Sequence, residues 1–352
     1  MNIIITGATG FVGTRLTKEL LEKGHNVFAL VRSERKEKML YEKLPENLTQ
    51  NLNILRGDIS SALLGLSEGL CNELTSKIDT IYHVAAYLSF DDSERERTFQ
   101  INVGGTNNVL EFAKRIKVQN FFHVSTAYTL GKKEFGKEEL HSVDNEFVNN
   151  YEESKCHAEH LLTEYKDNFN ISIFRPAIIV GDSKTGEAES NFALYGVLRS
   201  FSLLKKRIER NKELLEKKIK FMCNAHTNSN FVPVDYVTKV LVAGLTHAEN
   251  GKIYHITNSN PPSHQVVFEL MKEALNLNNV ELVPVTYKGV LSKMDKFVNS
   301  AAQVFHPYME KSVRFEDKNT KLLLERASVQ PVVMDKEMLR NIIFAFSRPV
   351  RV

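Results

Sequence analysis

From Asn2 to Phe174 the chain alternates short, almost wholly apolar runs with stretches patterned for helix, and that alternation leaves few folds open. Residues 2–6, 26–31, 53–56, 80–85, 121–125 and 171–174 read as strands. Residues 11–23, 34–44, 103–116 and 151–165 carry apolar side chains at helical spacing, with Gly24 and Pro45 as stops after the first two. Strands that are apolar without interruption are buried on both faces, which means a parallel sheet covered by helices on each side. The expected fold class is therefore α/β, a doubly wound parallel sheet, with ligands beyond the carboxyl ends of its strands.

The pattern loosens after Gly181. Residues 201–220 read as one basic helix, carrying Lys205, Lys206, Arg207, Arg210, Lys212, Lys217, Lys218 and Lys220, with Glu209, Glu213 and Glu216 between them. Phe231-Val232-Pro233-Val234-Asp235 leads into an apolar helix through Gly244, residues 252–257 read as a further strand, and the remainder is short amphipathic helices. A length of 352 residues corresponds to about two domains. We expect a sheet domain from residues 1–180 and 226–257, and a smaller, mostly helical lobe from 181–225 and 258–352. The balance of 46 Lys+Arg against 43 Asp+Glu gives no case for nucleic-acid binding. No run of 18 apolar residues is present, and the N-terminus lacks a basic segment ahead of an apolar one, so neither a membrane span nor a secretory signal is expected. Three scattered cysteines, Cys71, Cys156 and Cys223, form neither a disulfide framework nor a metal site and fit a reducing cytoplasm.

Thr6-Gly7-Ala8-Thr9-Gly10-Phe11-Val12-Gly13 joins the first strand to the first helix. Glycines at this spacing permit a tight turn and close approach of a pyrophosphate, while the helix N-terminus favours its charge. A packing turn has the same composition; the strand-loop-helix context favours nucleotide binding, with Gly7, Thr9, Gly10, Phe11, Val12 and Gly13 as the contacting stretch. Cofactor choice falls at the end of the second strand, where an NAD-selective chain carries Asp or Glu about 20 residues past the glycines. This chain carries Arg32-Ser33 there. Arginine cannot accept from a ribose hydroxyl but pairs with a 2′-phosphate, which favours NADPH over NADH. A solvated surface arginine satisfies the same sequence.

Tyr-x-x-x-Lys occurs twice, at Tyr128/Lys132 and Tyr151/Lys155. Gly131 interrupts the first. The second lies on a helical pattern, which puts Lys155 beside Tyr151. A neighbouring ammonium is expected to lower the phenol's pKa and suit it to proton transfer. An inert surface pair has the same spacing. His123-Val124-Ser125-Thr126 ends a strand at the sheet edge where ligands lie, and a hydroxyl there can orient a carbonyl oxygen.

Taken in order, Gly7 through Gly13, Gly57-Asp58, His83-Val84-Ala85-Ala86, Asn102-Val103-x-Gly105-Thr106, Ser125-Thr126, Tyr151 with Lys155, and Arg175-Pro176 resemble the extended short-chain dehydrogenase/reductase superfamily. The resemblance implies a catalytic triad of Thr126, Tyr151 and Lys155, with Ser125 as alternative to Thr126. It implies that Lys155 holds the nicotinamide ribose, that Asp58 and Ile59 contact adenine, and that Ala85, Ala86 and Tyr87 line the cofactor groove. Pro176, Ile178 and Ile179 are implied near the nicotinamide, and no metal is implied. Stretches such as His123-Val124-Ser125-Thr126-Ala127-Tyr128 and Phe231-Val232-Pro233-Val234-Asp235-Tyr236-Val237 resemble its thioester reductase and fatty acyl-CoA reductase (male sterility-like) branch. That branch reduces acyl thioesters with NADPH. Because the chain opens directly on its first strand, a separate carrier protein, coenzyme A or a free carbonyl substrate is expected. An epimerase/dehydratase, a hydroxysteroid-type dehydrogenase and a non-catalytic NADP(H) sensor are the alternatives. The helices after the fourth and fifth strands, through Val109, Phe112 and Leu161, offer a homodimer interface or merely cover the sheet.

Overall fold

The computed structural model describes residues 1–189 and 192–348. They fall into two compact units. The first comprises Met1–Ala177, Tyr236–Thr257 and Phe315–Pro331. Its centre is a seven-stranded sheet in which all neighbours run parallel. The order is Ile253–Ile256, Asn170–Pro176, β5 (Asn120–Val124), β4 (Thr80–His83), β1 (Asn2–Thr6), β2 (Asn26–Val31), β3 (Leu52–Arg56). The chain reverses its direction of strand addition between β1 and β4, which opens a crevice at their carboxyl ends.

Each face of the sheet has its own core. On one, Ile4, Leu30, Ile81, Phe121 and Ile171 pack under the helices α3 (Glu68–Leu74), α5 (Gly105–Arg115) and α6 (Asn150–Leu162), through Cys71, Leu110, Phe112 and Leu162. On the other, the rings of Tyr82, Phe122, Phe174 and Tyr254 touch in succession across adjacent strands. The helix Val234–His247 lies against that ladder: Tyr82 donates to the Leu241 carbonyl at 2.7 Å, and a Cβ on Gly244 would stand 2.6 Å from the Phe174 ring. Val109 and Phe112 are fully buried in the core of the first face and so cover the sheet, whereas Leu161 is only partly buried against it.

The expected helix over 103–116 is longer and broken. It begins as α4 (Arg95–Phe99), widens into a π turn over Gln100–Gly104, and continues as α5. The widened turn carries Asn102, whose side chain satisfies the backbone of Tyr87 on both sides. Such turns recur at functional sites.

Among the described residues, the second unit gathers Ile178–Asp235, Asn258–Arg314 and 332–348. It holds two short parallel strand pairs, Ile178–Val180 with Phe231–Pro233 and Ile219–Met222 with Val280–Val283. Helices Leu194–Arg210, His264–Leu275, Lys293–Ala302 and Lys336–Ser347 complete it. The basic helix expected over 201–220 stops at Arg210. Asn211 leaves the helical region and caps a 3-10 turn over Lys212–Glu216. Alternate burial of Ile219 and Phe221 then makes Ile219–Met222 a strand. Several of its cations are already engaged: Lys205 with Glu209, Lys218 with Glu281, and Arg207 over the Phe297 ring. No helix among the described residues is long and apolar enough to cross a membrane.

Candidate active site

The glycine loop lies at the carboxyl end of β1. Gly7 has φ +73°, and a Cβ there would meet the Ala85 amide nitrogen at 2.7 Å. A Cβ on Gly13 would lie 2.0 Å from the Gly7 carbonyl oxygen, so glycine at this position lets α1 (Phe11–Glu22) start directly against the strand. Gly10 occupies the N-cap of α1 without a capping side chain, and the first turn carries no acidic residue. The leading amides of α1 are therefore open to an anion, with the helix dipole in its favour. Thr9, Gly10, Phe11 and Val12 all reach the surface.

Arg32 is exposed immediately beyond β2. Asp58, two residues past β3, accepts from the Ser60 amide at 2.9 Å and hydroxyl at 2.7 Å. Burial pushes its carboxyl up, but the Ser60 hydrogen bonds and the Arg32 charge outweigh that and hold it below the usual carboxylate range. Ile59 packs where a Cβ on Gly105 would come within 3.0 Å of it. Beyond β4, the Ala85 amide donates to the Thr6 hydroxyl at 3.2 Å and Ala86 is exposed. Tyr87 is held by Asn102, bonds Glu94 through its hydroxyl at 2.9 Å, and lies under the Arg97 guanidinium.

Ser125 and Thr126 follow β5. The Thr126 hydroxyl accepts from the Tyr128 amide at 3.3 Å, capping a 3-10 turn over Ala127–Leu130. The Ser125 hydroxyl is buried without a hydrogen-bond partner among the described residues. Tyr151 and Lys155 sit one turn apart on α6, whose N-cap Asn149 accepts from the Glu152 amide at 3.0 Å. Tyr151 is half-buried beside Phe90, and its hydroxyl makes no hydrogen bond among the described residues. Lys155 is fully buried, and its Nζ lies 2.8 Å from the Val124 carbonyl and 3.0 Å from Nε2 of His123.

The electrostatic effect expected of that lysine is overturned by its surroundings. Burial pushes the Tyr151 phenol up to about 12, and the Glu152 carboxylate adds to the rise. Burial pulls the Lys155 amine down to about 7 against the pull of Glu159. Helical spacing puts the two residues on one face, but the lysine side chain is bonded to the end of β5 and makes no hydrogen bond to the phenol. The other Tyr-x-x-x-Lys pair is dismantled by its neighbours: Tyr128 is buried against Phe315, Lys132 pairs with Glu146, and Gly131 has φ +66° between them. Pro176 ends its strand in the first unit, whereas Ile178 and Ile179 belong to a strand of the second.

Several residues beneath this site carry no assigned role in the sequence reading. His83 links β1 to α5: its Nδ1 is 2.8 Å from the Thr6 hydroxyl and its Nε2 is 2.9 Å from that of Thr106. The Thr6 hydroxyl accepts from Ala85 and the Thr106 hydroxyl donates to the Asn102 carbonyl, which makes His83 a neutral ring protonated on Nε2. Asn102 also reaches the Ser154 hydroxyl at 2.9 Å, tying the π turn to α6. Arg175 and Glu159 form a buried two-pronged ion pair, with Nε to Oε1 at 2.9 Å. Repetition of small polar residues gives no signal for such partners; the fold brings them together over separations of 15 to 77 residues. No group of three His, Cys, Asp or Glu among the described residues is placed to hold a metal ion.

With this geometry in view, the model of an NAD-binding family described as male sterility protein matches residues 5–241. The chain belongs to the male sterility protein family. That family lies within the extended short-chain dehydrogenase/reductase superfamily, as the motif order implies. A linear gramicidin synthase protein of Brevibacillus parabrevis is 25% identical over 374 residues, covering 98% of this chain and 7% of that protein. The 3 beta-hydroxysteroid dehydrogenase/Delta 5-->4-isomerase of Mycobacterium tuberculosis is 32% identical over 192 residues, covering 51% of this chain and 47% of the relative. The chain thus spans less than half the length of these two curated relatives. The terminal R domain from the myxalamid PKS-NRPS biosynthetic pathway superposes with a TM-score of 0.80 at 24% identity, covering 98% of this chain and 90% of that one. The likeness to the R domain is one of fold.

Proposed function

We propose that this male sterility family member is an NADP-dependent oxidoreductase that reduces a carbonyl or acyl thioester, with Tyr151 as the proton donor. One observation carries the reading. At the end of β5 the Ser125 hydroxyl is buried without a partner among the described residues, and on α6 the half-buried Tyr151 phenol makes no hydrogen bond among them while the buried Lys155 ammonium uses two of its three N–H groups. Buried polar groups left unpaired are costly, so such a cluster is built for a ligand. The same unit supplies the uncapped amides of α1, which fit a pyrophosphate.

In this reading Gly7, Thr9, Gly10, Phe11, Val12 and Gly13 hold the pyrophosphate, and Arg32 pairs with the 2′-phosphate. Asp58 and Ile59 take the adenine end, Ala85, Ala86 and Tyr87 the middle, and Lys155 the ribose hydroxyls. Pro176 takes the nicotinamide end. The cofactor, when bound, supplies a hydride. Thr126, with Ser125 as alternative, orients the substrate carbonyl, and Tyr151 gives its proton to the carbonyl oxygen as the carbon gains hydrogen. With a thioester, the resulting hemithioacetal loses thiol to leave an aldehyde.

The second unit is the substrate-binding lobe in this reading. The names of the gramicidin synthase and the R domain support a substrate tethered to a carrier protein, with coenzyme A as the other thioester source. Three buried free cysteines, Cys71, Cys156 and Cys223, fit the cytoplasm, where thiols stay reduced. The test is NADPH absorbance in the presence of acyl-coenzyme A, carrier-bound thioesters and free aldehydes. Consumption of NADPH with one class is expected. Epimerised product with no net consumption would favour the epimerase alternative, and tight NADPH binding with no turnover of any class would favour a sensor.

A further inference from the structure

The requirements of a buried ammonium point past the catalytic pair. Lys155 is almost wholly removed from solvent, and a buried charge must be paired or hydrogen-bonded. The carboxylate one helical turn further on, Glu159, is committed to Arg175 through two hydrogen bonds. What remains for Lys155 is the Val124 carbonyl and a single side chain, His123. That ring is fully buried, stands with its centre 5.3 Å from the ring of His83, and has no partner for Nδ1 among the described residues.

We propose that His123 is a positioning residue for Lys155, accepting through Nε2 so that the ammonium is held at the end of β5 with one N–H left for the ligand. The inference rests on the role given above to Lys155. It requires the proton of His123 to sit on Nδ1, where a hydrogen bond goes unmade. His83 cannot take the same part, because both its nitrogens are engaged by Thr6 and Thr106.

The titratable and charged groups that act on this lysine are His83 on β4, His123 on β5 and Glu159 on its own helix, with Arg175 on the adjoining strand behind Glu159. Burial, and next the Lys155 charge, keep His83 and His123 neutral, so neither competes for the proton at neutral pH. A neutral acceptor favours the charged form of its donor. Deleting it makes Lys155 shed its proton at lower pH.

Two measurements test this. The first is nitrogen-15 NMR of the histidine rings in the unliganded chain at a pH of about 6, below the value of about 7 to which burial pulls Lys155, so that the ammonium is the populated form. The expected result is Nδ1–H with a bare Nε2 at His123; a ring protonated on Nε2 overturns the proposal. The second is the pH dependence of NADPH affinity, followed by cofactor fluorescence, for the wild type, His123→Gln and His123→Phe. Gln retains an acceptor at the reach of Nε2, and its alkaline limb is expected to match the wild type. The limb of the Phe variant is expected to fall by about one pH unit, a tenfold change in proton concentration. Equal profiles for all three, or equal shifts in both variants, overturn it. Should the Phe variant not fold, the ring tautomer and the Gln profile still decide. Absence of NADPH binding in the wild type would sink the oxidoreductase reading instead, leaving the tautomer result to stand by itself.

Discussion

Tyr151 keeps its proton at neutral pH because burial, and next the Glu152 carboxylate, push its phenol up to about 12, so in the proposed reading it enters the reaction in its protonated form. Tyr151→Phe removes that proton and little volume. Turnover should fall by about 10²- to 10⁴-fold, while NADPH affinity by fluorescence titration stays within about threefold of the wild type. Unchanged turnover would mean that another group protonates the substrate. In the proposed reading Arg32, exposed beyond β2, pairs with the 2′-phosphate. Replacing it with glutamate trades a 2′-phosphate partner for a 2′-hydroxyl partner. The ratio of NADPH to NADH affinity should drop by about thirtyfold, the worth of one charge-assisted hydrogen bond of about 2 kcal/mol. A ratio that stays put would mark Arg32 as a surface residue.

At the scale of elements, the site depends on how closely a strand and a helix can approach. The Gly7 carbonyl lies where a Gly13 side chain would have to be. Gly13→Ala must push α1 away from β1, which should cost about 1–3 kcal/mol of unfolding free energy in urea and weaken NADPH binding. Gly104→Ala is the control, since nothing lies within 4 Å of its added carbon. Equal behaviour of the two variants would show that the loop does not depend on this contact. The π turn works the same way in reverse: one extra residue in the helical path lets Asn102 face Tyr87 and Ser154 together, fixing the segment after β4 against α6.

Across the whole molecule, the buried polar network sets the response to acid. Burial first, and then nearby cations, hold His83, His141 and His255 at about 3, against an ordinary value of 6.5, and burial holds His264 of the second unit at about 4. In the unfolded chain each ring takes up a proton below about 6.5, while the folded chain refuses it. The unfolded state therefore binds more protons, and stability is lost as pH falls from about 6.5 towards the folded values. Each ring contributes up to about 1.4 kcal/mol per pH unit in that window. Urea unfolding between those limits should show this slope. His255→Gln should make it shallower by close to one proton, and an unaltered slope would mean that His255 is charged in the folded protein. Of the residues offered for a homodimer face, Val109 and Phe112 are committed to the unit's own core, whereas Leu161 is only partly buried.

The sheet, its parallel sense and the glycine loop were legible in the sequence because they are written in local signals: uninterrupted apolar runs, helical spacing, and glycines at a strand-to-helix junction. β1 and β2 begin and end where those runs do. Tyr151 and Lys155 were legible as helical neighbours for the same reason. Their state was not. The lysine's real partners, His123 and Val124, lie 32 and 31 residues away. Burial, which no spacing reports, raises the phenol and lowers the amine together. Desolvation and long-range hydrogen bonding belong to the assembled fold, so tertiary structure alone decided which groups were left without partners, and those groups are where the proposed chemistry lies.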